Sequence, residues 1–357
     1  MLFRSRPFWR ACWSSKVNAT VTLILLALLL PAVWWAADWG IVQAVWRADL
    51  GACEAARGSG ACWGVIAEKH RLILWGRYPF DAQWRPMIAS LLMIGLVAYT
   101  ARPPAWRRSL LGWWAGVGVC VWVLMSGRLG PWSGAAWGLP PVTTDLWGGL
   151  ALTLMLAIVS IVLAFPLSIA LALGRRSSWP IVSSMCAALI ELVRGVPLVS
   201  VLFMASFMVP MLLPAGFAPD VLLRVLGALT LFLAAYLAEV VRGGLQGVPD
   251  GQRMAATALG LSPWQTQRHV LLPQALVHSL PALVNHFIGL FKDTSLVTIV
   301  SLYELSGSLS LALSGDADWR PYKIEAYLFI ALIYFAFCWS LSSYSQHWQR
   351  QLAQRTS

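Results

Sequence analysis

Charged residues are scarce in this chain of 357 residues: they make up 11% of it, against roughly 25% in an ordinary soluble domain. Hydrophobic residues make up 59%, and the 21 tryptophans suit rings that lie at membrane–water interfaces. The formal net charge is +11, but the arginines fall in small groups between apolar runs. That pattern indicates membrane topology and argues against a nucleic-acid-binding face.

The sequence also lacks the spacings that bind metals or nucleotides. Its six cysteines form no CxxC and no Cys/His metal pattern, so a zinc site has no support. It contains four lysines and no GxxxxGK[ST] segment, the loop that holds nucleotide phosphates. A nucleophile–base set is not recognisable either. We therefore predict a chain that is not an enzyme, has no metal site and binds no cofactor itself.

Long apolar runs are abundant. A membrane helix needs about 20 apolar residues to cross the hydrocarbon layer, and eight segments qualify or nearly do. They lie at about 19–37, 86–101, 109–127, 146–174, 196–214, 225–242, 274–292 and 324–345. The predicted fold class is an all-α polytopic membrane protein with about eight transmembrane helices in a lipid bilayer.

The basic residues favour a cytoplasmic N-terminus. Four of them precede the first span, and most of the others fall in loops that then lie on the same side. An even number of spans places the C-terminus there too. The loop at about 41–85 fits less well, since it carries six basic residues on the periplasmic side, but long loops weigh less in this rule. A cleaved signal peptide is the alternative for the first segment, but its run continues through Trp34 and Trp35.

A segment rich in Gly, Pro and Trp, at 128–145, divides the chain. We predict an N-terminal extension at 1–143, with three spans and the periplasmic loop. The five-span core then occupies 144–357, and it holds most of the unusual polar residues and a cytoplasmic loop at about 243–273.

The cytoplasmic loop contains a compact small-residue motif. Prolines punctuate both ends of a segment in which Ala255 and Ala256 precede Gly260. Small side chains allow the backbone of another protein to approach closely. The predicted docking residues are Gln252, Met254, Ala255, Ala256, Gly260 and Leu261. The alternative is an ordinary interfacial loop.

At this point the sequence resembles the permease subunits of type I ABC importers, in their polar amino-acid branch. That family has a cytoplasmic Glu-Ala-Ala-three-Gly pattern, and here Met254 replaces the Glu. Further matching motifs run in order through the core: Trp147-Gly148-Gly149, Arg194-Gly195-Val196-Pro197-Leu198, Tyr236 with Glu239, and Lys292-Asp293-Thr294-Ser295-Leu296. The long extension resembles the larger permease subunit of the general L-amino-acid importer of Gram-negative bacteria.

The resemblance implies a division of labour. A periplasmic binding protein delivers an L-amino acid, and this chain and a second permease subunit form the pathway through the bacterial inner membrane. Two ATPase subunits, which use ATP and Mg, dock on the helix at about 251–262. The last five spans would then form the type I importer permease core.

Charged residues in membrane spans are costly and need a reason. Lys292 and Asp293 are neighbours that point about 100° apart on a helix, so they do not readily neutralise each other. An amino acid offers each of them a partner. The predicted substrate-binding set is Asn285, Lys292, Asp293, Thr294, Ser295 and Arg194. The alternative is that Lys292 and Asp293 simply end span seven.

Two i,i+3 pairs favour structural roles. Glu191 and Arg194 precede a Gly–Pro break in a run too long for one crossing, and we expect them to pair at the cytoplasmic interface or contact substrate. Glu239 and Arg242 have the same spacing before the docking loop. His286 has no partner of metal-ligand type and is expected to be unremarkable.

Competing functions remain. An ion-coupled secondary transporter would use Asp293, Glu239 or Glu325, but such transporters usually show repeated halves, which this sequence lacks. A membrane enzyme would need a recognisable nucleophile–base set or metal site, and neither is present. A structural anchor would leave the polar residues of spans five to seven unexplained.

Cys53 and Cys62 share one polar segment that the predicted topology places in the oxidising periplasm. We predict a disulfide between them, closing a short loop with two glycines. The alternative is two free thiols packed near the membrane.

Overall fold

The computed structural model describes residues 10, 12–102, 109–130, 132–214 and 219–356. Within those ranges the chain is almost entirely helical. The α-helices in chain order are α1 Lys16–Ala37, α2 Leu50–Ala55, α3 Gly64–Trp75, α4 Trp84–Thr100, α5 Ser109–Ser126, α6 Gly149–Arg175, α7 Pro180–Gly195, α8 Leu198–Phe203, α9 Val209–Leu212, α10 Val221–Gln246, α11 Asp250–Ala258, α12 Pro263–Thr266, α13 Leu272–Asp293, α14 Leu305–Ser314 and α15 Lys323–Thr356.

Short π and 3₁₀ segments join or extend these helices. The π segments are Asp38–Val42, Met204–Met208 and Gln267–Leu271, and the 3₁₀ segments are Phe80–Ala82, Gly134–Trp137, Thr144–Leu146, Thr294–Val300 and Arg320–Tyr322. One two-residue antiparallel hairpin pairs β1, Arg128–Leu129, with β2, Trp132–Ser133.

Every predicted span contains helix, but the count of eight is not confirmed. Among the residues that the structure describes, six helical stretches are long and apolar enough to cross a membrane, and a seventh is counted if α7 and α8–α9 form one bent span. The remaining predicted span is α4, whose 17 residues reach only about 25 Å, short of the roughly 30 Å hydrocarbon layer.

The predicted break in the fifth span is confirmed. α7 ends at Gly195, α8 begins at Leu198, and the two parts meet at 105°. Pro197 directly before α8 has no backbone N–H to donate, and its ring excludes the helix from continuing through it.

Two compact units are distinguishable by their internal contacts. The first comprises residues 1–70 and 316–329, and the second comprises 71–315 and 330–357. These units are defined by contacts between residues, and each contains two separate stretches of the chain. They do not correspond to the division of the chain after residue 143, which stays a prediction.

The second unit is built around α6 and α10. Glycine, alanine and serine make up much of the buried side of α6, and α10 buries four alanines among larger leucines and valines, so that neighbouring backbones can approach closely. One close approach involves Gly244 of α10, where an added Cβ would lie 2.6 Å from the carbonyl oxygen of Ala275 in α13. No larger residue fits there without moving α13, so α10 can contact α6 on one side and α13 on the other.

Candidate functional site

The docking segment forms a short helix with a defined end. α11 stops at Ala258, and Gly260 adopts a left-handed conformation with φ of 78°. The amide of Leu261 donates to the carbonyl of Ala256, and the amide of Gly260 donates to that of Thr257. These two bonds make the Schellman motif, which favours glycine at this position. The expected short helix, with its glycine turn, is therefore confirmed.

The predicted docking residues do not all face the same way. Met254 is 64% exposed, whereas Ala256 is 3% exposed and packs within its own chain. Gln252, Ala255 and Gly260 are exposed and Leu261 is half-buried. Leu259, which the prediction passed over, is 82% exposed. The surface available to a partner is thus Gln252, Met254, Ala255, Leu259 and Gly260, and we call it the docking surface.

A cavity of about 260 Å³ lies between α10 and α13. Its lining residues are Phe232, Leu233 and Tyr236 from α10, with His286, Gly289, Leu290 and Asp293 from α13. The apolar and aromatic side chains make most of the wall, and Asp293 is its one acidic group.

Tyr236 is central to this cavity. Its ring lies 4.9 Å from Phe232 and 5.7 Å from His286, centroid to centroid. The guanidinium carbon of Arg194 lies 5.4 Å from the Tyr236 ring centroid, within the range of a cation–π contact. Tyr236 therefore shares the cavity wall with the carboxylate of Asp293 and contacts the guanidinium of Arg194.

The predicted substrate-binding residues are split by this geometry. Asp293 lines the cavity and Arg194 reaches Tyr236 at its edge, but Asn285 and Lys292 are exposed and lie outside the lining. Thr294 is buried and donates its hydroxyl to the carbonyl of Phe291. Ser295 is half-buried.

Next to the cavity, three arginines lie close to one carboxylate. Glu239 lies 2.7 Å from Arg175, 2.8 Å from Arg242 and 3.8 Å from Arg194, measured between nitrogen and oxygen atoms. We call Glu239, its three arginines and Glu191 the ion cluster. It joins α6, α7 and α10.

The ion cluster corrects one expectation and confirms another. Glu191 does not pair with Arg194 as predicted; it pairs with Arg175 at 2.8 Å. Arg194 turns instead toward α10, whose Glu239 offers a less exposed carboxylate. The Glu239–Arg242 pair is present as expected. Arg175, which the sequence marks only as a topology signal, was missed as a partner because it lies 64 residues from Glu239.

His286, Phe232 and Glu304 were also missed. Glu304 is fully buried at the start of α14, where it accepts hydrogen bonds from the amides of Ser306 and Gly307 and from the hydroxyl of Tyr334. Burial raises the pKa of its carboxyl. A buried acid in an apolar stretch is a signal that the sequence does carry.

A second cavity, of about 490 Å³, opens among the connections between the helices. It contains charges of both signs, from Arg77 and Arg128 and from Asp145 and Asp220, and its Thr144 hydroxyl donates to Asp220 at 2.6 Å. It is larger than the cavity at Tyr236 but contains none of the predicted substrate-binding residues.

The first unit contains the two cysteines of the extension, Cys53 and Cys62. Their Cα atoms are 5.4 Å apart and they are joined as a disulfide. The amide of Cys62 donates to the buried carboxylate of Glu325 at 3.0 Å. Within the described ranges, no group of three or more His, Cys, Asp or Glu side chains is placed to hold a metal ion.

Comparison with known proteins settles the family. Residues 164–355 match the model of the binding-protein-dependent transport system inner membrane component. The chain belongs to this family. Its members are membrane-spanning permease subunits without catalytic activity, so the protein is a multi-pass permease and not an enzyme.

Two relatives match this permease over nearly its whole length. It is 43% identical to the inner membrane amino-acid ABC transporter permease protein YhdY of Escherichia coli K12, over 95% of this chain and 89% of that one. It is 36% identical to the glutamate/glutamine/aspartate/asparagine transport system permease protein BztC of Rhodobacter capsulatus, over 95% and 92% respectively.

Among solved structures, the permease resembles a chain from the crystal structure of an amino acid ABC transporter with histidines. The identity is 29% and the TM-score is 0.50, over 56% of this chain and 90% of that one. The permease fold is therefore shared, and the remaining length of this chain has no counterpart in that neighbour.

Proposed function

We propose that this permease takes up L-amino acids, with broad specificity for polar ones, as part of an ATP-driven importer. The observation that carries the proposal is that Asp293 lines the same cavity as Tyr236, whose ring Arg194 contacts. An amino acid bears an ammonium and a carboxylate on one carbon, and these two side chains supply the opposite charges. The relatives YhdY and BztC are permeases of amino-acid transport systems, which supports the proposal.

In the proposed site, Asp293 binds the ammonium and Arg194 binds the carboxylate. Phe232, Leu233 and Leu290 then leave an apolar wall that accepts side chains of different shapes. Of the other predicted residues, Thr294 and Ser295 help to fix the end of α13. Asn285 and Lys292, both exposed, are assigned lesser roles.

The proposed partners are a second permease subunit, two ATPase subunits and a periplasmic amino-acid-binding protein. What supports ATPase docking is the exposure of Met254 and Leu259, two large apolar side chains in a segment of mostly small and polar residues. In this arrangement ATP and Mg are used by the partner ATPases, and the permease binds neither.

We place the permease in the inner membrane of a Gram-negative bacterium, with both termini in the cytoplasm. The grouping of basic residues supports this orientation. The extension at 1–143 then presents its loop at 41–85 to the periplasm, and the core at 144–357 presents 243–273 to the ATPases.

An ion-coupled transporter is less well supported. Of its candidate acids, Glu239 is already neutralised by arginines, and Glu325 accepts a backbone hydrogen bond. Such groups are poorly placed to carry a proton or sodium ion through each cycle.

Affinity purification in mild detergent tests the proposal. The tagged permease should bring down a second permease and an ATPase chain, identified by mass spectrometry. Ala255→Trp, on the docking surface, should lose the ATPase but keep the second permease. Recovery of the permease alone from a native membrane extract would contradict the proposal.

A further inference from the structure

Arg194 is the most loosely held arginine of the ion cluster. Its distance to Glu239 is 3.8 Å, while Arg175 and Arg242 approach the same carboxylate to 2.7 and 2.8 Å. The Arg194 side chain is also 38% exposed, against 17% for that of Glu239. If Arg194 moves away, Glu239 therefore keeps two close cationic partners and is not left as an unpaired charge.

The same guanidinium also contacts a side chain of the cavity wall. It lies 5.4 Å from the Tyr236 ring, and the Tyr236 hydroxyl donates to the Arg194 carbonyl at 3.4 Å. Tyr236 and Glu239 are three residues apart on α10, so they lie on neighbouring turns of one face. Arg194 thus contacts both Tyr236 in the cavity wall and Glu239, and it can pair with a carboxylate at either place.

Arg194 is also next to a sharp bend of the chain. It is the penultimate residue of α7, and the helix axis turns by 105° across the connection to α8. We call Gly195, Val196 and Pro197 the elbow. The Arg194–Glu239 contact therefore ties the elbow to α10.

We propose that the carboxylate of the cargo competes with Glu239 for Arg194. Binding of cargo then breaks the Arg194–Glu239 contact that holds the elbow to α10. This inference rests on the proposed function and adds a switching role for Glu239. Exchanging one carboxylate for another keeps Arg194 paired, so the exchange needs little energy. A cargo amine without a carboxylate would occupy the cavity but leave the contact intact.

We call the contact between Arg194 and Glu239 the latch. Its proposed role is tested by measuring ATP hydrolysis by the complex reconstituted in lipid nanodiscs. Glu239→Gln removes the competitor, so hydrolysis without cargo should rise about five-fold or more, which is the lower end of common coupling between sites. Addition of cargo and binding protein should then raise the rate little further. Glu191→Gln is the matched control. It removes the same charge from the cluster, but its partner is Arg175, and both of its rates should stay within about two-fold of wild type.

If Glu239→Gln fails to assemble, Arg194→Gln cuts the same contact from the other side and should raise the cargo-free rate equally. The latch is wrong if neither variant raises that rate, or if Glu191→Gln raises it as much. The cargo-free rate does not depend on which compound is carried. Failure of every amino acid to stimulate the wild-type complex would therefore count against the proposed function and not against the latch.

Discussion

The docking surface and the ion cluster are built in opposite ways. The docking surface comes from one stretch of nine residues, 252–260, and its shape follows from a short helix and a glycine turn. The ion cluster draws its five side chains from three helices, and Arg175 is 64 residues away from Glu239. One is a local structure, and the other exists only when the helices pack.

This difference determines how well each region tolerates single substitutions. A local structure depends on backbone conformation and is damaged by a single residue of the wrong type. An assembled cluster shares its charges, so the loss of one member is partly compensated by the others. Substitutions should therefore have sharper effects on the docking surface than on the ion cluster.

The largest effect is expected from Gly260→Leu. A side chain at the left-handed position is disfavoured by roughly 1–2 kcal/mol, and the turn that ends α11 should open. Uptake and coupling to the ATPase should be abolished while the permease stays in the membrane. Membrane fractionation and transport in intact cells measure both.

Ala255→Trp and Ala256→Trp distinguish docking from packing. Ala255 is exposed, so a tryptophan there should block the partner alone, whereas Ala256 is buried and a tryptophan should overpack its own chain by about 1–3 kcal/mol. Ala336→Trp, on an exposed part of α15, is the control and should transport normally. Normal transport by both Gly260→Leu and Ala255→Trp would remove the docking surface from the mechanism.

The second effect concerns the cavity. Asp293→Asn should lower uptake about ten-fold, since a charge-assisted contact to the ammonium is worth roughly 1.5–3 kcal/mol. The complex should still assemble, and discrimination between amino acids should change. The neighbouring Lys292→Gln is the matched control, because Lys292 is exposed outside the cavity and should matter less. Equal losses in the two variants would mean that this cavity is not the binding site.

Sequence reasoning succeeded where the signal was local. Apolar run length located the six long helical stretches and the bent stretch of α7 to α9, whereas α4, with 17 residues, falls short of the usual length of a span. Gly195 and Pro197 located the elbow, and Gly260 located the end of α11. Each depends on the conformational preference of one or two residues.

It failed where the partner of a side chain is decided by helix packing. An i,i+3 spacing predicts a pair only if neither residue meets a better partner, and Arg194 faces Glu239 once α7 packs near α10. Likewise, nothing in the spacing of Phe232, His286 and Asp293 shows that they share one cavity. His286 and Asp293 are seven residues apart on α13, so helix geometry alone places them on the same face. That Phe232 of α10 lines the same cavity is seen only in the structure.

The third effect tests a local feature outside the core, the Cys53–Cys62 disulfide. Loss of the bond in Cys53→Ser should destabilise the first unit by roughly 2–3 kcal/mol. The expected loss is modest because a disulfide that closes a short loop removes little entropy from the unfolded chain. Because both side chains are buried, the thiol reagent is applied to denatured protein, and it should label neither cysteine before reduction and both after it. Labelling without reductant would show free thiols.

The smallest effect tests an assembled feature of the same unit. Lys69 lies 2.6 Å from Asp316, and the hydrogen bond from Lys69 holds the pKa of Asp316 below its usual range. A depressed pKa in the folded state stabilises the fold above the ordinary pKa and stops doing so as the pH falls through the depressed value. Lys69→Gln should therefore lower the thermal stability slightly at pH 7, and the difference from wild type should vanish well below about pH 4. A difference that is constant across this pH range would mean that Lys69 acts through packing.

Uptake into proteoliposomes tests most directly whether this permease belongs to an ATP-driven amino-acid importer. The complex is reconstituted with both permeases, the ATPases and the binding protein, and ATP is supplied on the side of the ATPases. We predict that a labelled polar amino acid accumulates only with ATP and binding protein, and that ionophores which collapse proton and sodium gradients have no effect. Accumulation without ATP that an imposed proton or sodium gradient drives, and that ionophores abolish, would contradict this mechanism.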